Sequence, residues 1–223
     1  MTIAAASVAD GLDQVRERIV AAGGDPDRVT VVAVTKGFGP DAVDAALVAG
    51  ATHLGENYAQ ELVAKAEALG TEPDAGPCWH FIGGLQRNKV RALVPHVALW
   101  ETVDRGSLGV ELAKRAPGAR VLVQVNISAE EAKGGCLPDA TAELVAELTE
   151  LGLDVAGLMG VAAAGDETVA RSQFALLAGL RGDLGLAELS MGMTADLDVA
   201  VAEGATIVRV GRALFGARPP RTH

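Results

Sequence analysis

The chain has 223 residues, 49% of them hydrophobic and only 3% aromatic, with a formal net charge of -10. That length suits one large domain or two small ones with a sizeable core. The acidic balance (pI near 4.8) argues against non-specific binding to nucleic acid or to anionic membranes. Cys78 and Cys136 stand far apart with no CxxC or CxH spacing, so neither structural zinc nor a disulfide framework is indicated. In the N-terminal stretch, Asp10, Asp13, Arg16, Glu17 and Arg18 interrupt any signal-peptide core. No run reaches the roughly 18 apolar residues of a membrane span. A cytoplasmic protein with two reduced thiols and no metal is expected.

In chain order, Val8, Leu12, Val15 and Ile19 line one face of a helix from about Ser7 to Ala22, stopped by Gly23, Gly24 and Pro26. The run Val29 to Thr35 reads as the first strand and Pro40 to Val48 as the next helix, closed by Gly50. Strand Thr52–Gly55, helix Asn57–Leu69, a Pro- and Gly-rich loop to Pro77 and strand Trp79–Gly83 follow. Gln86–Leu93 is a short helix, Ala98–Val103 a strand, Arg105–Ala116 a helix and Arg120–Asn126 a strand. After a loop, Pro138 opens a helix to Leu151, with proline at the position where its missing N–H costs nothing. Strand Val155–Met159, helix Asp166–Leu184, strand Leu189–Met191, helix Ala195–Ala202 and strand Ile207–Val210 complete the series. A last short helix starts near Arg212, and the tail from Arg218 is expected to fray.

About eight strands thus alternate with helices, which implies parallel strands joined by helical crossovers. The strands read as apolar runs, as expected when both faces are covered. A single (β/α)8 TIM barrel is the predicted fold, with an open doubly wound sheet as the alternative. No G-x-G-x-x-G follows the first strand, which weakens that alternative. Two segments, AVDAALVAGATHLGE and DLDVAVAEGATIVRVG, repeat one unit, with Gly50 and Gly204 at left-handed helix ends.

In such a barrel the active site lies at the C-terminal ends of the strands. Of five lysines, only Lys36 directly follows a hydrophobic strand; Lys65, Lys89, Lys114 and Lys133 fall in polar contexts, and Lys65 and Glu61 read as a solvated helix face. A lysine there needs water, a partner or a covalent adduct. Ser190, Gly211 and Arg212 stand where barrels commonly hold a phosphate, after strands seven and eight, and Thr194 reads as the cap of the following helix. Arg209, inside the strand IVRV, must be paired, either with a carboxylate such as Glu56 or with a ligand atom. His80, between Trp79 and Phe81, reads as a satisfied core histidine, and Asn57 as a helix cap or a ligand contact. A lysine facing an anion site suits two chemistries: Schiff-base cleavage of a phosphorylated carbonyl substrate, or attachment of pyridoxal 5'-phosphate (PLP).

The segments VAVTKGFGP, HLGENYAQE, WHFIGGLQRNKV and LSMGMTADLDVAVAEGATIVRVGRALFG, in this order and spacing, resemble the signature segments of the YggS/PROSC family of PLP homeostasis proteins. The resemblance spans nearly the whole chain and implies one barrel like the N-terminal domain of alanine racemase. It implies that Lys36 holds PLP as an aldimine and that Arg209 faces the pyridine nitrogen. By the same resemblance Ser190, Gly211 and Arg212 hold the phosphate, with Thr194 on the phosphate side, Asn57 lining the ring and His80 nearby. Thr194 replaces the family's usual serine, Arg212 a small residue, Gly84 a proline, and Gly37-Phe38 a polar pair.

An arginine cannot give up its proton, so the pyridine opposite it is a poor electron sink and carbanion chemistry is handicapped. A second domain supplying a further acid/base, as in alanine racemase, is not expected at this length. A PLP carrier without turnover is therefore expected, serving intracellular vitamin B6 homeostasis as a monomer, with PLP-accepting apo-enzymes as recipients. The alternative is a small PLP-dependent amino-acid racemase.

Overall fold

The computed structural model describes residues 3–70, 76–130 and 133–217. The expected fraying of the tail from Arg218 therefore lies outside the described residues. Eight parallel strands close into one barrel in sequence order: β1 (Thr30–Val34), β2 (His53–Glu56), β3 (Cys78–Phe81), β4 (Val97–Val103), β5 (Arg120–Val125), β6 (Asp154–Gly160), β7 (Glu188–Ser190) and β8 (Ile207–Val210). β1 pairs with both β2 and β8, which shuts the sheet without a free edge. This is the predicted (β/α)8 architecture.

The helices are α1 (Ala5–Ala21), α2 (Pro40–Val48), α3 (Ala59–Leu69), α4 (Arg87–Leu93), α5 (Gly106–Arg115), α6 (Thr141–Glu150), α7 (Glu167–Asp183), α8 (Leu197–Ala202) and α9 (Arg212–Phe215). α1 buries the expected stripe of Val8, Leu12, Val15 and Ile19. Gly11 on α1 lets it approach α9 closely, since a Cβ there would stand 2.8 Å from the Ala213 carbonyl oxygen. Gly50 and Gly204 take the predicted left-handed conformation, with φ of 88° and 89°. Pro138 opens a separate 3-10 turn, Pro138–Ala140, rather than the α-helix itself, which starts at Thr141.

Side chains alternate between two environments along the strands, and register shifts in β4 and β6 interrupt that alternation locally. Val32, Leu99, Leu122, Ala156, Met159 and Ile207 pack together inside the barrel. Ala33, Leu54, Trp79, Phe81, Trp100, Val103, Leu158, Leu189, Val208 and Val210 belong to the larger core between sheet and helices. On that alternation His80, Glu101, Ser190 and Arg209 share the inner face, whereas Glu56 shares the outer face toward α3.

This overturns one expectation and removes one of two alternatives. Lys65 is no solvated-face residue: it is 4% exposed and pairs with Glu56, itself fully buried. It falls on the stripe of α3 that buries Ala59 and Leu62. Glu56 is also not the partner of Arg209, because the two point to opposite sides of the sheet. Burial pushes the Glu56 carboxyl above its ordinary range, against the opposing charge and hydrogen bond of Lys65 and the hydrogen bond of Thr35. Lys65→Met strands that carboxyl, and a loss of about 3–5 kcal/mol in denaturant-derived stability is expected. A raised folded-state pKa favours the fold at low pH and opposes it as pH rises past that pKa. The variant is therefore less destabilised at pH 5 than at pH 8.

Candidate functional site

β1 ends at Val34, and Lys36 lies just past it in a tight turn whose Phe38 amide donates to the Thr35 carbonyl at 3.1 Å. Gly37 has φ of 77°, the left-handed conformation that the third position of such a turn requires. The turn sets Lys36 in the wall of a cavity of about 350 Å3 at the C-terminal end of the barrel, together with Asn57, Thr194, Arg209, Gly211 and Arg212. Val34, Ile82, Met159 and Val161 supply apolar surface to the same wall. That size and mixture match a small-molecule site, for which about 300 Å3 or more is typical.

The walls are shaped by close backbone contacts. A Cβ on Gly83 would stand 2.0 Å from the Asn57 carbonyl oxygen, so the β3 loop can lie against the β2 loop only because residue 83 has no side chain. Gly83→Ala must displace Asn57, and a stability loss of about 1–3 kcal/mol is expected together with weaker ligand binding at the cavity. Thermal melts and ligand titration of the variant check this. On the other side, Gly211 precedes α9, and a Cβ there would come within 3.1 Å of the Val34 carbonyl oxygen.

Deeper in the barrel an uninterrupted hydrogen-bonded chain runs behind Arg209. Its Nη1 donates to Ser190 Oγ at 2.6 Å and its Nη2 to the Gly160 carbonyl at 3.0 Å. Ser190 Oγ donates in turn to Glu101 Oε2 at 2.5 Å. Glu101 Oε1 lies 2.5 Å from His80 Nδ1, and His80 Nε2 lies 2.9 Å from His53 Nδ1. Burial acts to raise the Glu101 carboxyl, but the His80 hydrogen bond, the His80 and Arg209 charges and the Ser190 hydrogen bond outweigh it and hold Glu101 below the ordinary range. An ionised carboxylate only accepts, so His80 Nδ1 is the donor. Burial, assisted by His80, holds His53 below its ordinary range, with Glu101 opposing. Burial also pulls Arg209 down, countered by Glu101 and Asp196, but a guanidinium keeps its proton.

Lys36, Asn57, Thr194, Arg209, Gly211 and Arg212 thus meet at one cavity. Ser190 and His80 do not line it; both are buried behind Arg209, their polar atoms engaged with Glu101. Thr194 does not cap α8: the helix starts at Leu197 after Asp196, whose carboxylate accepts from the Met193 amide. Thr194 Oγ1 instead accepts from the Ala213 amide at 3.4 Å and so ties the β7 loop to α9. Asn57 precedes the residue that caps α3, Tyr58, and the Asn57 Oδ1 is buried without a hydrogen-bond partner among the described residues. Arg212 is exposed, and its backbone amide heads α9. Sequence reasoning missed Glu101 and His53. A glutamate in the apolar run VALWETV was the available signal for the first, because a carboxylate mid-strand must find a cation or a donor.

Comparison with known proteins bears on this geometry. A family model described as alanine racemase, N-terminal domain, matches residues 7–219. The pyridoxal phosphate homeostasis protein of Pseudomonas aeruginosa is 41% identical, covering 98% of this chain and 97% of the relative. That of Escherichia coli is 38% identical, over 95% and 97% of the two chains. The structure of PipY from Synechococcus elongatus, solved with PLP bound, superposes with a TM-score of 0.78 at 33% identity, over 91% of this chain and 100% of PipY. Alanine racemase from Clostridium difficile, at 14% identity and a TM-score of 0.69, shares the fold over 94% of this chain and 57% of its own length. With relatives this similar over nearly its whole length, the chain belongs to the family of pyridoxal phosphate homeostasis proteins, built on the alanine racemase N-terminal barrel.

Proposed function

We propose that this protein binds PLP in the cavity at the end of the barrel, with Lys36 as the point of covalent attachment, and holds it without catalytic turnover. The observation that carries this is the placing of a lysine and a buried, braced arginine in the wall of one small-molecule-sized cavity. The donor set fits the cofactor. Lys36 would take the aldehyde, and Arg209 the ring nitrogen. Thr194 and the backbone amides of Gly211 and Arg212 would hold the phosphate. Asn57, whose Oδ1 is a buried acceptor with no partner among the described residues, would meet a donor on the ring side.

When bound, PLP supplies a reactive aldehyde and a pyridine ring whose strength as an electron sink depends on protonation of its nitrogen. Arg209 has no proton to give, and its positive charge is balanced by Glu101 through Ser190. That pairing favours retention over carbanion chemistry. Val34, Ile82, Met159 and Val161 would limit water at the ring, and Lys36 stands in a half-buried position that an exchanging amine could approach. PLP-accepting apo-enzymes are the proposed recipients. The test is the visible spectrum of the purified protein with added PLP, before and after borohydride reduction, with peptide mapping. A yellow band that bleaches and leaves a pyridoxyl group on Lys36 supports the reading. A protein that takes up no PLP overturns it, and racemisation of amino acids by the loaded protein would replace the carrier with an enzyme.

A further inference from the structure

Helix α3 grips the turn that carries Lys36 on both sides of that residue. Lys65 Nζ donates to the Thr35 carbonyl at 2.8 Å, and Thr35 Oγ1 donates to Glu56 Oε1 at 2.7 Å, while Lys65 pairs with the same carboxylate oxygen. Beyond Lys36, the Gly37 amide donates to Glu61 Oε2 at 2.8 Å, and Glu61 lies 3.8 Å from Lys65. The peptide units before and after Lys36 are therefore both fixed to residues Glu61 and Lys65, one helical turn apart on α3. This clamp is additional to the Phe38 to Thr35 hydrogen bond that closes the turn itself.

We propose that Glu61 is a positioning residue that holds the Lys36 turn in place, so that the lysine amine meets a bound aldehyde at high effective concentration. The inference rests on the reading that Lys36 carries PLP. Attachment joins the lysine nitrogen to the aldehyde carbon; the ammonium first yields a proton to water, and the carbonyl oxygen departs as one water molecule. The reverse step returns that water or admits another amine. The non-covalent hold on ring and phosphate belongs to other residues and does not depend on where the Lys36 amine sits. A fixed turn prepays the loss of freedom that attachment demands, and a loosened turn makes attachment repay it each time. Glu61 suits this role because its side chain is 32% exposed, so it can be changed without stranding a buried charge.

The experiment compares affinity for PLP with affinity for pyridoxine 5'-phosphate, which has the same ring and phosphate but an alcohol in place of the aldehyde. Loss of a charge-assisted hydrogen bond to the turn is expected to weaken PLP binding by about tenfold in Glu61→Ala. Binding of pyridoxine 5'-phosphate is expected to stay within about twofold, a difference too small to mark a lost hydrogen bond. Glu61→Gln, which can still accept from the Gly37 amide, is expected to recover most of the loss. Equal weakening of both ligands, or no weakening of PLP, overturns the proposal. Failure of the underlying reading looks different: Lys36→Ala would then bind both ligands as the unmodified protein does, and borohydride would leave no label on Lys36.

Discussion

Lys36→Ala is expected to abolish borohydride-stable attachment of PLP completely while leaving the barrel folded. The residue stands in a half-buried turn outside the strand, and neither barrel core includes it. Substitutions away from buried networks change stability by about 0.5 kcal/mol or less, so the melting temperature should barely move. PLP should still associate through the remaining cavity residues, but reversibly, and dialysis should remove it. Absorbance of the variant after PLP addition and dialysis, followed by mass analysis of reduced peptides, checks both halves. A pyridoxyl label retained on another lysine, such as Lys89 or Lys133, would move the attachment point.

The second large effect is expected at Glu101, which no ligand needs to touch. Its carboxylate is fully buried between His80 and Ser190 and stands 3.9 Å from the Arg209 guanidinium. Glu101→Ala leaves that guanidinium without its counter-charge and Ser190 without its acceptor. A loss of about 3–5 kcal/mol in stability is expected, the usual penalty when one partner of a buried pair is removed. Glu101→Gln keeps the shape but replaces an acceptor with a donor opposite one of its two neighbours. It should fold with an intermediate loss, and it should weaken PLP because Arg209 is no longer held against Ser190. The pH dependence has a definite sign. The folded-state pKa of Glu101 is depressed, so its contribution is present above the unfolded value and is lost as pH falls through the folded value. Acid titration of stability should therefore be shallower in Glu101→Gln than in the unmodified protein. An unchanged acid limb would assign that slope to other carboxylates.

The two networks divide the labour at the cavity. On the inner face, Glu101, Ser190 and His80 brace Arg209 from below. On the outer face, Glu56, Lys65 and Glu61 brace the turn of Lys36 from α3. The proposed attachment residue and the proposed ring partner are thus held by separate sets of side chains on opposite faces of one sheet. Mutations in the two sets should add nearly independently in stability, since none of the hydrogen bonds or ion pairs described above links them.

Much of this protein could be read without a structure. Alternation of apolar runs with amphipathic helices fixed the number and order of strands, because a buried parallel strand and a surface helix leave different periodicities. Glycines at 50 and 204 marked helix ends, because only they take the left-handed turn at no steric cost. Lys36, Arg209 and Gly211 were visible because each breaks the local pattern at a strand end or interior. What the sequence could not contain was which face of each strand points inward and what stands across the barrel. The alternation IVRV puts Arg209 on the same face as Ile207, but only closure of the sheet decides that this face is the interior and that Glu101 from β4 and Ser190 from β7 converge there. The choice between Glu56 and another partner for Arg209 stayed open for the same reason: one residue of register separates the inner face from the outer. Local chemistry is written in neighbours along the chain, whereas the pairing of buried charges is settled between strands far apart in sequence, and that pairing is what the tertiary structure decided.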